Sequence, residues 1–260
     1  MAPIGIFDSG VGGLSVAREI RQSLPGEDLL YVADTAYCPY GDRSLEEVRT
    51  RALAVGRFVE SEGAKLVVAA CNTASGAALD ELRQVLSIPV VGLEPAVKTA
   101  ASVTRRRRVG VMATAGTLAS ARYAKLVREH ARGIEVLPQP CPGLADLIEE
   151  GHLDDERLRA LLERLTRPLR QAGVDAVVLG CTHYAFVTDA LARVLGPDVR
   201  LVDSAPAIAR RTEHLLRGDA AARVNGPGAF RVLTTGDPRK VAPVVERLWG
   251  AGVPVAPVRI

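Results

Sequence analysis

The sequence predicts an α/β protein made of two pseudo-symmetric α/β domains with mostly parallel sheets. Three observations lead there. Short apolar runs alternate with helical patterns almost throughout the chain. The runs are nearly continuous in apolar residues, as strands of a parallel sheet covered on both faces must be. The second half also echoes the first: VVAACNTAS is matched by VVLGCTHYA, and IGIFDSGVGGLS more loosely by VGVMATAGTLAS. Asp8 and Cys71 are 63 residues apart, Thr114 and Cys181 67, so two strands and their following loops recur in the same order. That spacing is too long for a solenoid and fits two related halves.

Taken in order, the strands are expected at 3–8 (PIGIFD), 28–34 (DLLYVAD), 65–70 (KLVVAA), 88–93 (IPVVGL) and 108–113 (RVGVMA). They continue at 134–137 (IEVL), 174–180 (VDAVVLG), 199–203 (VRLVD), 230–236 (FRVLTTG) and 253–258 (VPVAPV). The clearest helix follows Ser44, which forms a capping box with Glu47; Leu45, Val48, Ala52, Val55 and Val59 share one face. Pro168 is expected to kink or split the helix DERLRALLERLTRPLRQAG. Most Gly and Pro residues fall between elements, and no segment has the composition of a long linker.

A chain of 260 residues, 48% hydrophobic and 24% charged, is long enough for one large or two compact cores. No apolar run is long enough to span a bilayer, and the start MAPIGIFDSG lacks the regions of a signal peptide. The expected setting is therefore the cytoplasm, where thiols stay reduced. The net charge of +3 is small, and aromatic residues make up 4%, which argues against nucleic acid as a direct partner. The one charge run, Arg105–Arg108, reads as a solvated turn ahead of a strand.

In parallel sheets, ligands bind at the carboxyl ends of strands, where loops and helix N-termini converge. Four polar clusters stand there: Asp8-Ser9, Cys71-Asn72-Thr73, Thr114 with Thr117, and Cys181-Thr182-His183. If the halves face one another, these clusters line one cleft from both sides. None of the four cysteines forms a C-x-x-C pair, so no zinc ribbon or redox pair is expected. Cys38 and Cys141, each followed by proline, read as small buried apolar residues. Cys71 and Cys181 each precede a helical segment, whose N-terminus favours a thiolate, and His183 is a proton acceptor near Cys181. Two thiols on opposite walls suit inversion of a carbon: one base removes a proton and an acid on the other face supplies another. The glycines of DSGVGGLS satisfy neither the phosphate-loop nor the dinucleotide pattern. They either close a strand–helix turn or let backbone approach a small anion. None of Lys65, Lys98, Lys125 and Lys240 lies in a polar cluster, which argues against a pyridoxal phosphate route.

Together, GIFDSGVGGLSV, DTAYCPYGDRS, ACNTAS, VGVMATAGTLASARY and LGCTHYAF resemble the glutamate racemases of the cofactor-independent aspartate/glutamate racemase superfamily, in order and spacing from residue 4 to about 204. The resemblance implies interconversion of L- and D-glutamate without cofactor or metal, and supply of D-glutamate for peptidoglycan. It implies a discontinuous first domain, 1–93 with 204–260, and a second, 94–203, with the active site in the cleft between them. Carried over by position, Cys71 and Cys181 are the catalytic acid/bases. Asp8 assists on the Cys71 side and His183 on the Cys181 side. A family glutamate falls at Glu149, with Glu150 adjacent; Asp146 departs from the uncharged residue expected at that helix start. Substrate contacts are expected from Asp8, Ser9, Tyr40, Gly41, Asn72, Thr73, Thr182 and His183, with Thr114 and Thr117 from the second half. Because the chain starts almost on its first strand, no activation by a cell-wall precursor is expected. A homodimer is compatible with the family, and interaction with DNA gyrase, reported for some relatives, is left open.

Three rivals are distinguishable. Aspartate enzymes of the superfamily begin with a Gly-Met-Gly loop, where this chain has FDSGVGG. A non-catalytic binding module would not need both thiols and His183. A single-thiol hydrolase leaves the second cysteine unexplained.

Overall fold

The computed structural model describes residues 2–216, 227–250 and 252–260. All ten expected apolar runs form strands: β1 (Ile4–Asp8), β2 (Leu29–Ala33), β3 (Leu66–Ala69), β4 (Val90–Gly92), β5 (Arg108–Ala113), β6 (Glu135–Pro140), β7 (Ala176–Gly180), β8 (Arg200–Val202), β9 (Phe230–Thr234) and β10 (Val255–Pro257). Between them run α1 (Leu14–Ser23), α2 (Leu45–Ser61), α3 (Asn72–Val85), α4 (Val97–Val103), α5 (Ala115–Ala119), α6 (Ala121–His130), α7 (Leu144–Glu149), α8 (Glu156–Gln171), α9 (Thr188–Leu195), α10 (Ala205–Leu216) and α11 (Pro238–Trp249).

The strands make two sheets, ordered β10-β9-β2-β1-β3-β4 and β6-β5-β7-β8. Every strand pairing among the described residues is parallel. The order β2-β1-β3-β4 in the first sheet is repeated as β6-β5-β7-β8 in the second. The sequence echo is therefore a repeat of topology as well as of strand ends. The order in which the chain lays down strands reverses between β1 and β3 in one sheet and between β5 and β7 in the other, and such a switch point opens a crevice at the carboxyl ends. Asp8 and Cys71 follow one pair, Thr114 and Cys181 the other.

Both faces of each sheet are covered, which explains the continuous apolar strands. On the first sheet, Ile4, Ile6 and Val68 pack with α1, α10 and α11 on one side. Phe7, Val32, Val67 and Ala69 pack with α2 and α3 on the other. The second sheet repeats this, with α7, α8 and α9 against one face and α4 and α6 against the other. The C-terminal strands extend the first sheet beyond β2.

Two helix expectations need correction. Pro168 does not split its helix: α8 runs unbroken from Glu156 to Gln171. Leu158, Leu162, Leu165 and Leu169 are buried along one stripe on both sides of the proline. Burial of each leucine is worth about 1.5–3 kcal/mol, so the stripe outweighs the roughly 3 kcal/mol cost of an interior proline. In α2 the capping box forms as expected. Leu45, however, is exposed, because it is the first helical residue and the buried stripe begins a turn later at Val48. Arg105–Arg108 is the exposed turn that leads into β5, with Arg105 and Arg106 N–H groups held by the Asp175 carboxylate.

Candidate active site

Asp8 ends β1 and is fully buried. Its Oδ1 accepts from the Ser9 backbone N–H at 2.6 Å, and its Oδ2 accepts from Thr182 Oγ1, 2.9 Å away on the opposite half. Burial raises the Asp8 pKa, with His183 and Thr182 pulling against it.

Cys71 is the N-cap of α3, and its Sγ accepts from the Ala74 N–H at 3.4 Å. The same Sγ lies 4.0 Å from Ser9 Oγ. The helix N-terminus alone favours a thiolate, yet burial and then the Asp8 charge push the Cys71 thiol well up; the Ala74 N–H recovers only part. Beside Cys71, Asn72 is buried, and its Oδ1 has no hydrogen-bond partner among the described residues. A buried orphan acceptor is costly in a finished core and natural in a binding site.

Cys181 caps a 3-10 run, Thr182–Val187, that passes into α9, so it precedes an α-helix only at one remove. Its Sγ is 3.5 Å from His183 Nδ1, while His183 Nε2 meets Glu149 Oε1 at 2.6 Å. Burial disfavours the His183 cation, but Cys181 and then Glu149 outweigh it and hold its pKa well above the ordinary histidine value. Glu149, at the end of α7, also accepts from the Val11 N–H at 2.6 Å. Glu150 turns outward to Arg157 at 3.3 Å, so only Glu149 reaches this centre. Asp146 lies a turn earlier and faces an outer cavity with Asp42, leaving the placement of Glu149 unaffected.

The two walls are also joined by hydroxyls. Thr73 Oγ1 is 2.9 Å from Thr114 Oγ1 and 3.2 Å from Thr117 Oγ1, and the last two are 3.0 Å apart. Tyr40 is buried and donates to Asp34, whose carboxylate also takes Arg51 at 2.7 Å. At Gly41 a Cβ would stand 2.6 Å from Thr114 Cβ, so glycine lets this turn close on the other half.

Of the sequence-predicted residues, all except Thr117 and Glu149 line one cavity of about 20 Å³; those two sit directly behind it. That is the room of about one water. An adjoining cavity of about 170 Å³ is lined by Gly41, Thr114 and Cys141 and shares Gly41 and Thr114 with the first.

Two features had no sequence signal. The glycines of DSGVGGLS do more than close a turn. A Cβ at Gly12 would lie 2.4 Å from His183 Nδ1, and one at Gly10 would lie 1.9 Å from Glu149 Oε1. They give room to side chains of the opposite half. Cys38 departs from its reading as a buried apolar residue: it is half-buried, and its Sγ, a Glu149 carboxylate oxygen and a His183 ring nitrogen all lie within 4.8 Å of one another. Cys141 is buried as expected.

The Asp/Glu/Hydantoin racemase family model matches residues 4–212. A glutamate racemase from Pseudomonas paraeruginosa is 49% identical over 251 residues, covering 96% of this chain and 95% of that protein. Among solved structures, the glutamate racemase isoform RacE1 of Bacillus anthracis superposes with a TM-score of 0.91 at 35% identity, covering 100% of this chain and 98% of that one. The Escherichia coli glutamate racemase in complex with L-glutamate and the activator UDP-MurNAc-Ala does so with a TM-score of 0.87 at 34% identity, over 99% and 98% of the two chains.

Proposed function

We propose, for a chain that belongs to the Asp/Glu/Hydantoin racemase family and has the activity of its glutamate-racemising members, that Cys71 and Cys181 exchange the Cα proton of glutamate from opposite faces. The observation that carries this is the placement of both thiols. Each follows the equivalent strand of a repeated sheet order, and both line one cavity.

In one direction the Cys181 thiolate removes the Cα proton while the Cys71 thiol donates its own to the opposite face; the reverse reaction exchanges the roles. The His183 imidazolium, held by Glu149, faces the sulfur that carries negative charge before that step. Burial, and after it the Asp8 carboxylate, favour the protonated Cys71 for donation. The orphan Asn72 Oδ1 accepts from the substrate ammonium. Ser9, the Thr73–Thr114–Thr117 hydroxyls, Thr182 and the backbone at Gly41 supply donors to the two substrate carboxylates. Since about 20 Å³ cannot hold glutamate, the Tyr40–Gly41 turn and Thr114 part to admit it through the outer cavity.

The units that part are residues 1–93 with 204–260, and 94–203, each built on one of the two sheets. No helix among the described residues is long and apolar enough to cross a membrane. Four free cysteines suit the reducing cytoplasm, where D-glutamate would be supplied for peptidoglycan.

The test is proton exchange in heavy water. Each enantiomer, followed at early times, is expected to yield product labelled at Cα while the remaining substrate stays unlabelled. Equal label in both pools means one base serves both faces and sinks the two-thiol scheme. Comparing rates on L-glutamate and L-aspartate tests the substrate.

A further inference from the structure

The scheme above uses two of the four thiols and leaves Cys38 idle, although Cys38 stands against the centre it serves. Cys38 follows the turn after β2, in the half built on the first sheet. Glu149 and His183 belong to the other half. One sulfur, one carboxylate oxygen and one imidazole nitrogen therefore meet from three separate segments, all within 4.8 Å of one another. Gly10 makes the meeting possible: its missing Cβ would lie 1.9 Å from Glu149 Oε1 and 2.9 Å from Cys38 Sγ. Among the described residues, no hydrogen bond occupies the Cys38 thiol.

We propose that Cys38, Glu149 and His183 form a binding site for Zn²⁺ that closes the cleft and inhibits the enzyme. A mixed S, O and N donor set with three protein ligands is one that Zn²⁺ takes, leaving a fourth position for water. Two anionic ligands and a neutral imidazole balance the ion's charge. Binding releases to solvent the Cys38 thiol proton and the proton between His183 and Glu149. The ion takes the place of that proton, so small outward movements of Glu149 and His183 complete the coordination. Two consequences follow. His183 can no longer present an imidazolium to Cys181, and a bond from Cys38 to the opposite half restrains the parting that admits substrate. Metal binding rests on the ligand geometry alone; inhibition rests on the role given above to His183 and Glu149.

The experiment uses the intact protein with Zn²⁺, and with Co²⁺ as a spectroscopic substitute. One equivalent of Zn²⁺ is expected to raise Tm and to stop racemisation reversibly, with recovery on adding a chelator. Co²⁺ is expected to give a sulfur-to-metal charge-transfer band in the near ultraviolet. Cys38→Ala is expected to racemise at the unaltered rate, to lose the band, and to need about tenfold or more Zn²⁺ for the same inhibition. Cys38→Ser, which restores a similar shape without the soft ligand, is expected to behave like Cys38→Ala. The proposal is overturned if Cys38→Ala is inhibited as readily as the wild type. It is equally overturned if the Co²⁺ band survives in Cys38→Ala and disappears in Cys71→Ser, since the metal then sits on a catalytic thiol. Binding that depends on Cys38 but leaves activity intact supports the site and counts against the role of the His183–Glu149 pair.

Discussion

The wall that carries Cys71 and the wall that carries Cys181 share a strand order and differ in electrostatics. Cys71 is buried beside the Asp8 carboxylate, and these two surroundings push its pKa up against the pull of the helix N-terminus that it caps. Cys181 caps a tighter 3-10 run that brings His183 within 3.5 Å, with Glu149 holding the ring from behind. A repeated scaffold thus places two thiols at equivalent positions, while non-repeated neighbours raise the pKa of one and set a histidine beside the other. The lesson is that pseudo-symmetry fixes positions, while burial and unmatched neighbours make the two surroundings electrostatically unlike.

The harshest way to break this comparison is to remove either sulfur. Cys71→Ser and Cys181→Ser are each expected to lower kcat by about 10³-fold or more in both directions, because a hydroxyl is far too weak an acid–base partner here. A variant that keeps even a tenth of the wild-type rate removes that thiol from the mechanism. Next, His183→Asn is expected to cost about 10²-fold. L- and D-glutamate are equal in free energy, so kcat/KM must fall equally both ways. The asymmetry between walls should instead appear in kcat and KM taken separately, and identical changes in both directions would erase the distinction drawn above.

Gly12→Ala sharpens the comparison without deleting a functional group. Its Cβ would lie 2.4 Å from Nδ1 of the buried His183 ring. A loss of about tenfold or more in kcat, with Tm little changed, is expected, given that displacement of about 1 Å can cost 10²-fold. Thr73→Val removes one hydroxyl of the triangle that both walls share, and a rise of a few-fold in KM with kcat nearly intact is expected. The smallest effect concerns stability. The folded His183 pKa is raised, so its contribution is fully present below the ordinary value of about 6.5 and is lost as pH rises through the folded value. Tm followed against pH should fall across that alkaline window in the wild type, and less steeply in His183→Asn.

Much of this was legible before folding. The inner strands could be read because a strand buried on both faces needs an unbroken apolar run, and the chain punctuates its runs with Gly and Pro. The two thiol loops were legible because they repeat. Choosing Glu149 over Glu150 was not, since adjacent helical residues point about 100° apart and only packing sets the phase. Nor was it legible that the helix runs on through Pro168, because local propensity yields to a buried leucine stripe. The glycines at 10 and 12 carried no mark of the side chains they admit, because those side chains come from more than 130 residues away.

By itself, the sequence determined the elements, their order, the parallel α/β class and the two loops that hold Cys71 and Cys181. These follow from periodicity and local steric preference, which act over a few residues. Only the tertiary structure decided that Thr182 reaches Asp8, that Glu149 seats His183 through the Val11 turn, and that Cys38 stands beside them. Those contacts depend on how one sheet is set against the other, and that setting is the sum of many weak packing terms that no short stretch of chain contains.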